Sequence, residues 1–128
     1  MMTLVDTSAW IDFFRDDTLA SRVEDLLGNN EVALCGPVVT ELTRGFRNKN
    51  EMKRTLTLLE GCRRLEQPDV LWYEAGQLGF IAAKGGFTVK TLDLLIACYA
   101  LHYDIPILTK DADFQHMIDA GIPLNLSN

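Results

Sequence analysis

The sequence has few of the side chains that usually bind zinc or form disulfides. Its three cysteines, Cys35, Cys62 and Cys98, lie far apart and include no Cys-x-x-Cys pair, and neither of the two histidines is spaced to join them. An odd number of widely separated cysteines is also a poor disulfide framework. We therefore expect no zinc site and interpret the cysteines as small core residues in a reducing compartment.

The N-terminus lacks the features of a targeting segment. The residues from Met1 to Asp6 have no basic flank and no long apolar run, so they form neither a signal peptide nor a membrane anchor. From this we expect a soluble, cytoplasmic protein without membrane contact.

Glycine is missing where a nucleotide-binding fold would need it. A short apolar run, Thr3–Val5, predicts the first strand, and the stretch that follows it, Asp6 to Trp10, contains no glycine. A P-loop or a dinucleotide-binding turn requires glycines at this point. Ser8 stands where phosphatases of the Asp-x-Asp type have their second aspartate, and the acid pair and lysine of a receiver domain are missing as well. These absences disfavour the common phosphate-binding α/β folds.

Positive charge is scarce in the chain as a whole. The 12 basic residues are outnumbered by 18 acidic ones, which gives a formal net charge of -6. Evenly spread, this charge would argue against a general electrostatic binder of nucleic acid. However, seven of the 12 basic residues lie between Arg44 and Arg64. A local basic surface is therefore compatible with the acidic total.

Short apolar stretches alternate with amphipathic ones along the chain. After the first strand, strands are predicted at 32–35, 63–66, 105–108 and 122–126, and helices from residue 8, at 19–27, 38–46, 52–60 and 69–84, from residue 91, and at 112–120. Asp69 and Thr91 are the expected caps of the two long helices. The alternation predicts a three-layer α/β fold, with a short parallel sheet covered by helices on both faces. We expect residues 1–128 to form a single domain.

Carboxylates stand at the ends of these predicted elements. Asp6 ends the first strand, and Asp111 and Asp113 follow the fourth. Asp93 and Glu41 lie in the first turns of helices. Because loops and helix starts at the carboxyl ends of parallel strands open into one crevice, we expect all five side chains to face it. The negative charges of such neighbouring carboxylates repel one another unless a divalent cation neutralises them. Ligation by oxygen atoms alone suits Mg²⁺ or Mn²⁺.

Each of these carboxylates also has an ordinary structural explanation. Asp6 and Asp93 suit helix N-termini, where a negative charge contributes ~0.3–1 kcal/mol. Glu41 could pair with Arg44 one turn later, and Asp111 could cap the helix that follows it. The order and setting of the whole set, rather than any single member, favour the metal site.

Four short motifs in order resemble the signatures of PIN-domain ribonucleases, in particular the VapC-type toxins of toxin-antitoxin pairs. They are Asp6-Thr7-Ser8 after the first strand, Glu41-Leu42 with Gly45 in a helix, Asp93-Leu94-Leu95-Ile96-Ala97, and Thr109-Lys110-Asp111-Ala112-Asp113-Phe114. The resemblance covers nearly the whole chain, from Thr3 to about Leu126. Each motif alone is weak, but four at fitting separations in a chain of fitting length form a specific pattern.

The resemblance implies an endoribonuclease that depends on Mg²⁺ or Mn²⁺, forms a homodimer and is inhibited by a VapB-type antitoxin. Its substrates would be transfer or ribosomal RNA, in which a metal-activated water would attack a phosphodiester and leave a 5′-phosphate and a 3′-hydroxyl. Carried over by position, the acidic set is Asp6, Glu41, Asp93 and Asp111, with Asp113 either as a further ligand or as a residue that supports the ligands.

The resemblance also suggests supporting residues around the acidic set. Ser8 and Thr109 match small hydroxyl residues that would orient the carboxylates. Candidate RNA contacts are Lys90, Lys110, Arg44 and Arg47. An ordinary solvated face explains the arginines equally well. The alternative function is a non-catalytic α/β module that binds phosphate or RNA, although a binder of polyanions gains nothing from unneutralised carboxylates.

Overall fold

The centre of the molecule is a four-stranded parallel sheet with the strand order β3-β2-β1-β4. The computed structural model describes residues 1–127. The strands are β1 (Thr3–Val5), β2 (Val32–Leu34), β3 (Arg63–Arg64) and β4 (Ile107–Leu108). The helices are α1 (Thr7–Arg15), α2 (Ala20–Gly28), α3 (Gly36–Arg44), α4 (Lys49–Glu60), α5 (Leu71–Lys84), α6 (Thr91–Tyr103) and α7 (Ala112–Asp119). The predicted α/β class with a parallel sheet is confirmed.

The strand order places the candidate site at a topological switch point. The chain pairs β1 with β2 on one side and with β4 on the other. Val5 is in register with Leu108, so the next residues along the two strands, Asp6 and Thr109, leave the sheet side by side. Ligands of open parallel sheets bind at the carboxyl ends of the strands where the order reverses. The local apolar runs therefore bring Asp6 and Thr109 together across 103 residues of sequence.

Helix α6 is the most deeply buried helix. All residues from Asp93 to Ala100 are buried. This continuous burial explains why the stretch is apolar on all sides rather than amphipathic. Only its first turn carries an acid, Asp93, which the helix holds at the level of the strand ends.

Aromatic and sulfur-containing side chains fill the core beside the sheet. Trp10 and Phe114 are fully buried. Cys35 and Cys98 are buried as well, and burial raises the pKa of both thiols to about 12. The thiols are therefore protonated near neutral pH, as expected of small core residues.

Several sequence-based boundaries were wrong, and each has a local cause. Lys90, and not Thr91, is the N-cap of α6, and Val70 rather than Asp69 precedes α5, with no side chain capping either helix. Helix α3 begins at Gly36, since Pro37 suits the first turn. The predicted last strand is reduced to a single bridge between Leu126 and Ile107.

The outer face of α5 carries exposed aromatic side chains. Trp72 is 63% exposed in the chain, and Tyr73 and Phe80 are exposed with it, so none of the three belongs to the core of the chain. Within residues 1–127, the helices are too short or too polar to span a bilayer.

Candidate metal centre

Asp6 is held by two hydroxyl groups, one from the first turn of α1 and one from the segment after β4. It is the N-cap of α1, and its Oδ2 accepts hydrogen bonds from Ser8 Oγ (2.9 Å) and Thr109 Oγ1 (2.7 Å) and a longer one from the Ser8 backbone N–H (3.4 Å). The carboxylate is 2% exposed. Its second oxygen, Oδ1, is buried and accepts no hydrogen bond from the described residues. All of the donors thus act on one oxygen and leave the other free.

The same hydroxyls join the β1–α1 and β4–α7 connections. Ser8 Oγ and Thr109 Oγ1 lie 3.1 Å apart. Backbone N–H groups donate to both, from Lys110 to Ser8 Oγ (3.1 Å) and from Asp111 to Thr109 Oγ1 (3.0 Å). Since each hydroxyl has one proton, both can donate to Asp6 only if neither donates to the other. The backbone donors stabilise this arrangement, because they occupy hydroxyl lone pairs.

Glu41 reaches the site from α3, and a threonine orients it. Thr7 Oγ1 donates a 2.8 Å hydrogen bond to Glu41 Oε1 in a half-buried position. Sequence reasoning missed this role of Thr7. The available signal was its position directly after Asp6, where a hydroxyl at a helix start lies close to the neighbouring strand end.

The carboxylates form two groups that share one member. Asp6, Glu41 and Asp93 each offer an oxygen, and these oxygens all lie within 4.8 Å of one another; we call them the first group. Asp93, Asp111 and Asp113 do the same and form the second group. The structure therefore brings together all five predicted acids, with the buried Asp93 between the two groups.

Two local features organise the second group. Asp111 is the N-cap of α7, and its Oδ1 accepts a 2.9 Å hydrogen bond from the Asp113 N–H. Lys90 Nζ lies 3.3 Å from Asp111 Oδ2 and 3.6 Å from Asp93 Oδ2. The second of these is an ion pair too long to be a hydrogen bond, so Asp93 Oδ2 remains buried without a donor.

Burial and crowding of like charges make ionisation of the shared aspartate unfavourable. Burial first, then a hydrogen bond with Asp113 and the charge of Asp111, raise the pKa of Asp93 to about 8, although Lys90 opposes the shift. Burial also raises the pKa of Asp6, against the lowering effect of the Thr109 and Ser8 hydroxyls. The charges of Asp93 and Asp111 raise the pKa of Lys90, which remains an ammonium.

The residues present fit a divalent cation with oxygen ligands. Two buried carboxylate oxygens, Asp6 Oδ1 and Asp93 Oδ2, accept no hydrogen bond from the described residues, and such orphans are costly unless a cation or a donor meets them. Both residues belong to the first group, in which each carboxylate offers one oxygen within 4.8 Å of the others. No cysteine or histidine takes part. This donor set suits Mg²⁺ or Mn²⁺ rather than zinc.

In the metal-stripped protein, we expect the free energy of unfolding to fall as pH rises from about 5 to about 7. In this window folded Asp93 retains a proton that the unfolded chain has lost, since its folded pKa is raised to about 8. The stability that protonated Asp93 contributes is therefore fully present below the ordinary aspartate pKa, and it is lost as pH rises toward the raised pKa of Asp93 in the folded protein. One such proton changes the free energy by about 1.4 kcal/mol per pH unit, so we expect a loss of roughly 1–3 kcal/mol in urea titrations.

The Asp93→Asn variant is the control for this pH dependence and should show a much flatter profile. Asp12, whose pKa is lowered by Lys110 and the Leu19 N–H in spite of burial, titrates below the window. A wild-type stability that rises with pH, or that matches the variant at every pH, would contradict the expectation.

Among the described residues, the candidate RNA contacts differ in whether their charge is free or already paired with a carboxylate. Arg44 at the end of α3 and Arg47 just beyond it are both exposed. Lys110 Nζ, in contrast, lies 2.5 Å from Oδ1 of the buried Asp12. A phosphate would have to compete with this ion pair for Lys110. Sequence reasoning missed Asp12, although an aspartate among the apolar residues of α1 was a signal.

Comparisons with known proteins find similar sequences. The sequence profile of the PIN domain matches residues 3–119. Ribonuclease VapC11 of Mycobacterium tuberculosis is 33% identical over 119 residues, which cover 88% of this chain and 89% of the relative. Ribonuclease VapC21 of the same organism is 32% identical over 101 residues, which cover 75% of this chain and 72% of the relative.

Solved structures share the fold at lower identity. The VapBC2 structure from Rickettsia felis, bound to a DNA fragment from its promoter, superposes with a TM-score of 0.78 at 21% identity, covering 100% of this chain and 98% of that one. VapBC-1 from nontypeable Haemophilus influenzae gives 0.77 at 24% identity, with 100% and 98% coverage. By the profile match and the identity to curated relatives over most of both chains, this protein belongs to the PIN domain family.

Proposed function

We propose that this chain is an endoribonuclease that requires Mg²⁺ or Mn²⁺ and serves as the toxin of a type II toxin-antitoxin pair. The observation that carries the proposal is the pair of buried carboxylate oxygens on Asp6 and Asp93 that accept no hydrogen bond from the described residues, within a cluster of five acids. Its chemical class is that of the similar proteins, which are named VapC ribonucleases. Residues 1–128 would act as a single PIN domain.

The first group would hold the cation, with Asp6, Glu41 and Asp93 as ligands. When bound, such an ion supplies Lewis-acid polarisation of a phosphoryl oxygen and a nucleophilic water at neutral pH. Asp111 is our preferred further ligand, and Asp113 supports it through its backbone N–H. Hydrolysis would leave a 5′-phosphate and a 3′-hydroxyl.

The surrounding hydroxyls would position the ligands. Ser8 and Thr109 hold Oδ2 of Asp6 and so leave Oδ1 available as a ligand. Thr7 orients Glu41 through the hydrogen bond that its hydroxyl donates to Oε1. Side chains that orient metal ligands typically contribute about 10–100-fold to metal affinity or activity.

Exposed basic side chains would bind the RNA backbone. Arg44 and Arg47 follow Glu41 on the same segment, and Lys90 stands beside Asp93 and Asp111. Lys110 would contribute only if it released Asp12. Electrostatic contacts of this kind supply affinity without sequence selectivity. Transfer or ribosomal RNA is the proposed substrate class.

Two apolar surfaces fit the proposed protein partners. A groove lined by residues of α1, of α3 and of the segment just after α3 includes Ile11, Phe14 and Phe46 as well as Glu41, and it would take an apolar segment of a VapB-type antitoxin. Trp72, Tyr73 and Phe80 on α5 are exposed and would be covered in a homodimer. The toxin and its antitoxin would act in the cytoplasm.

The proposal is tested by incubating the antitoxin-free protein with a pool of small RNAs. We expect cleavage with Mn²⁺ or Mg²⁺, none with excess EDTA, and at least a hundredfold slower cleavage by Asp6→Asn. The substitution keeps one oxygen to accept the Ser8 and Thr109 hydrogen bonds and replaces only Oδ1 with an NH₂ group, so the fold should persist. Asp69→Asn, at an exposed aspartate, is the matched control and should cleave normally.

Two outcomes would redirect the proposal. Undiminished cleavage in EDTA would exclude the metal-dependent mechanism. RNA binding without cleavage, by folded protein with either cation, would favour the non-catalytic α/β module instead.

A further inference from the structure

Lys90 contacts every member of the second group. Its Nζ lies 3.3 Å from Asp111 Oδ2 and 3.6 Å from Asp93 Oδ2, and its backbone N–H donates to Asp113 Oδ2 at 3.5 Å. Its side chain is 67% exposed, so the stem lies in solvent while the ammonium reaches the carboxylates. A cation that belongs to the chain therefore lies among these three aspartates.

The two groups differ in how their charge is neutralised. Within residues 1–127, neither Asp6 nor Glu41 forms an ion pair with a basic side chain. Asp6 Oδ1, which is buried, has no donor at all. Among the described residues, the first group therefore has a cationic partner only at the shared Asp93, whereas the second group has Lys90 beside all three of its members, and His116 Nδ1 lies 3.9 Å from Asp113 Oδ1.

We propose that the Lys90 ammonium takes the place of a second divalent cation, so that this chain binds a single divalent ion, in the first group. The inference rests on the proposed function, since it assumes a metal-dependent nuclease. In two-metal nucleases the ions lie ~3.5–4 Å apart, and together they stabilise the attacking and leaving oxygens. Lysine supplies a compact point charge with three donors, enough to hold two carboxylates and to meet a phosphate oxygen.

The tether explains why the ammonium can exclude a free ion. Lys90 is the N-cap of α6, only three residues before Asp93, and its backbone is anchored on Asp113. A group tethered this closely acts at an effective concentration of about millimolar or more. A dissolved divalent ion must compete with it, and the displaced ammonium must then be solvated elsewhere.

The test counts bound Mn²⁺ on the metal-stripped, full-length protein by electron paramagnetic resonance of the free ion. We expect one Mn²⁺ per wild-type chain. Lys90→Met keeps the length of the stem and removes the charge, so it should bind two, the second at least tenfold more weakly and with spin coupling to the first. Lys90→Arg should bind one. Lys53→Met, at an exposed lysine of α4, is the matched control and should also bind one.

The possible results separate this inference from the proposed function. Two Mn²⁺ ions on the wild-type chain, or one on Lys90→Met, would overturn the inference and leave the nuclease proposal intact. In the latter case a raised KM for RNA would identify Lys90 as a simple phosphate contact. A wild-type chain that binds no Mn²⁺ and cleaves no RNA would overturn both.

Discussion

The Asp93→Asn variant is expected to cleave RNA about a thousandfold more slowly than the wild type and yet to be more stable without metal. Asp93 is the one carboxylate shared by both groups, so its loss weakens every proposed ligand set. Losing about 4 kcal/mol of charge stabilisation in the transition state corresponds to this factor. At neutral pH the neutral amide also removes the cost of a buried aspartate whose pKa is raised to about 8.

The measurement pairs initial cleavage rates at saturating Mn²⁺ with thermal melting in EDTA. Asp25→Asn, at an exposed aspartate of α2, is the control and should change neither. If Asp93→Asn lost activity and also melted well below the wild type in EDTA, the carboxylate would be a structural residue and not a destabilised functional one. Retained activity would exclude it from the metal site.

Replacing Phe114 with alanine is expected to destabilise the protein by about 3–5 kcal/mol, as is usual for a buried phenylalanine. The ring is fully buried and anchors α7, whose N-cap is Asp111. In a domain of this size each kcal/mol lowers Tm by roughly 4 °C, so a decrease of about 12–20 °C should follow. The loss would move the Asp111 and Asp113 loop, and cleavage should fall even below the new Tm.

Phe80→Ala is the matched control, because Phe80 is 64% exposed on α5. The monomer should lose less than about 1 kcal/mol from this change, since surface substitutions have small effects. Calorimetry and urea titration at low protein concentration measure both variants. Similar losses for the two phenylalanines would mean that Phe114 does not anchor the site.

The class of fold follows from local patterns that sequence alone makes visible. Thr3–Val5 and Val32–Leu34 are short, fully buried and apolar except for Thr3, and burial on both faces of a sheet favours that composition. Boundaries were less certain, because capping depends on single hydrogen bonds. At Thr91 and Asp69 the expected side-chain cap does not form, and both helices begin at a neighbouring residue.

Apolar periodicity did not reveal which surface a helix presents to the core. Trp10 and Trp72 both lie in helical patterns, but Trp10 is fully buried and Trp72 is 63% exposed. Apolar residues recur with the same helical spacing whether they line the face toward the core or the face toward solvent. Packing of α5 against the rest of the chain decides the difference.

The sequence by itself predicted which carboxylates lie close together, because strand ends and first helical turns are local features and each marks a side chain near the same edge of the sheet. Tertiary structure alone decided how these side chains are paired. Ser8 and Thr109 share Asp6 across more than 100 residues of sequence, Lys90 enters the second group, and Asp12 holds Lys110. Such pairings depend on strand order and on side-chain directions, and neither is a property of any local stretch of the chain.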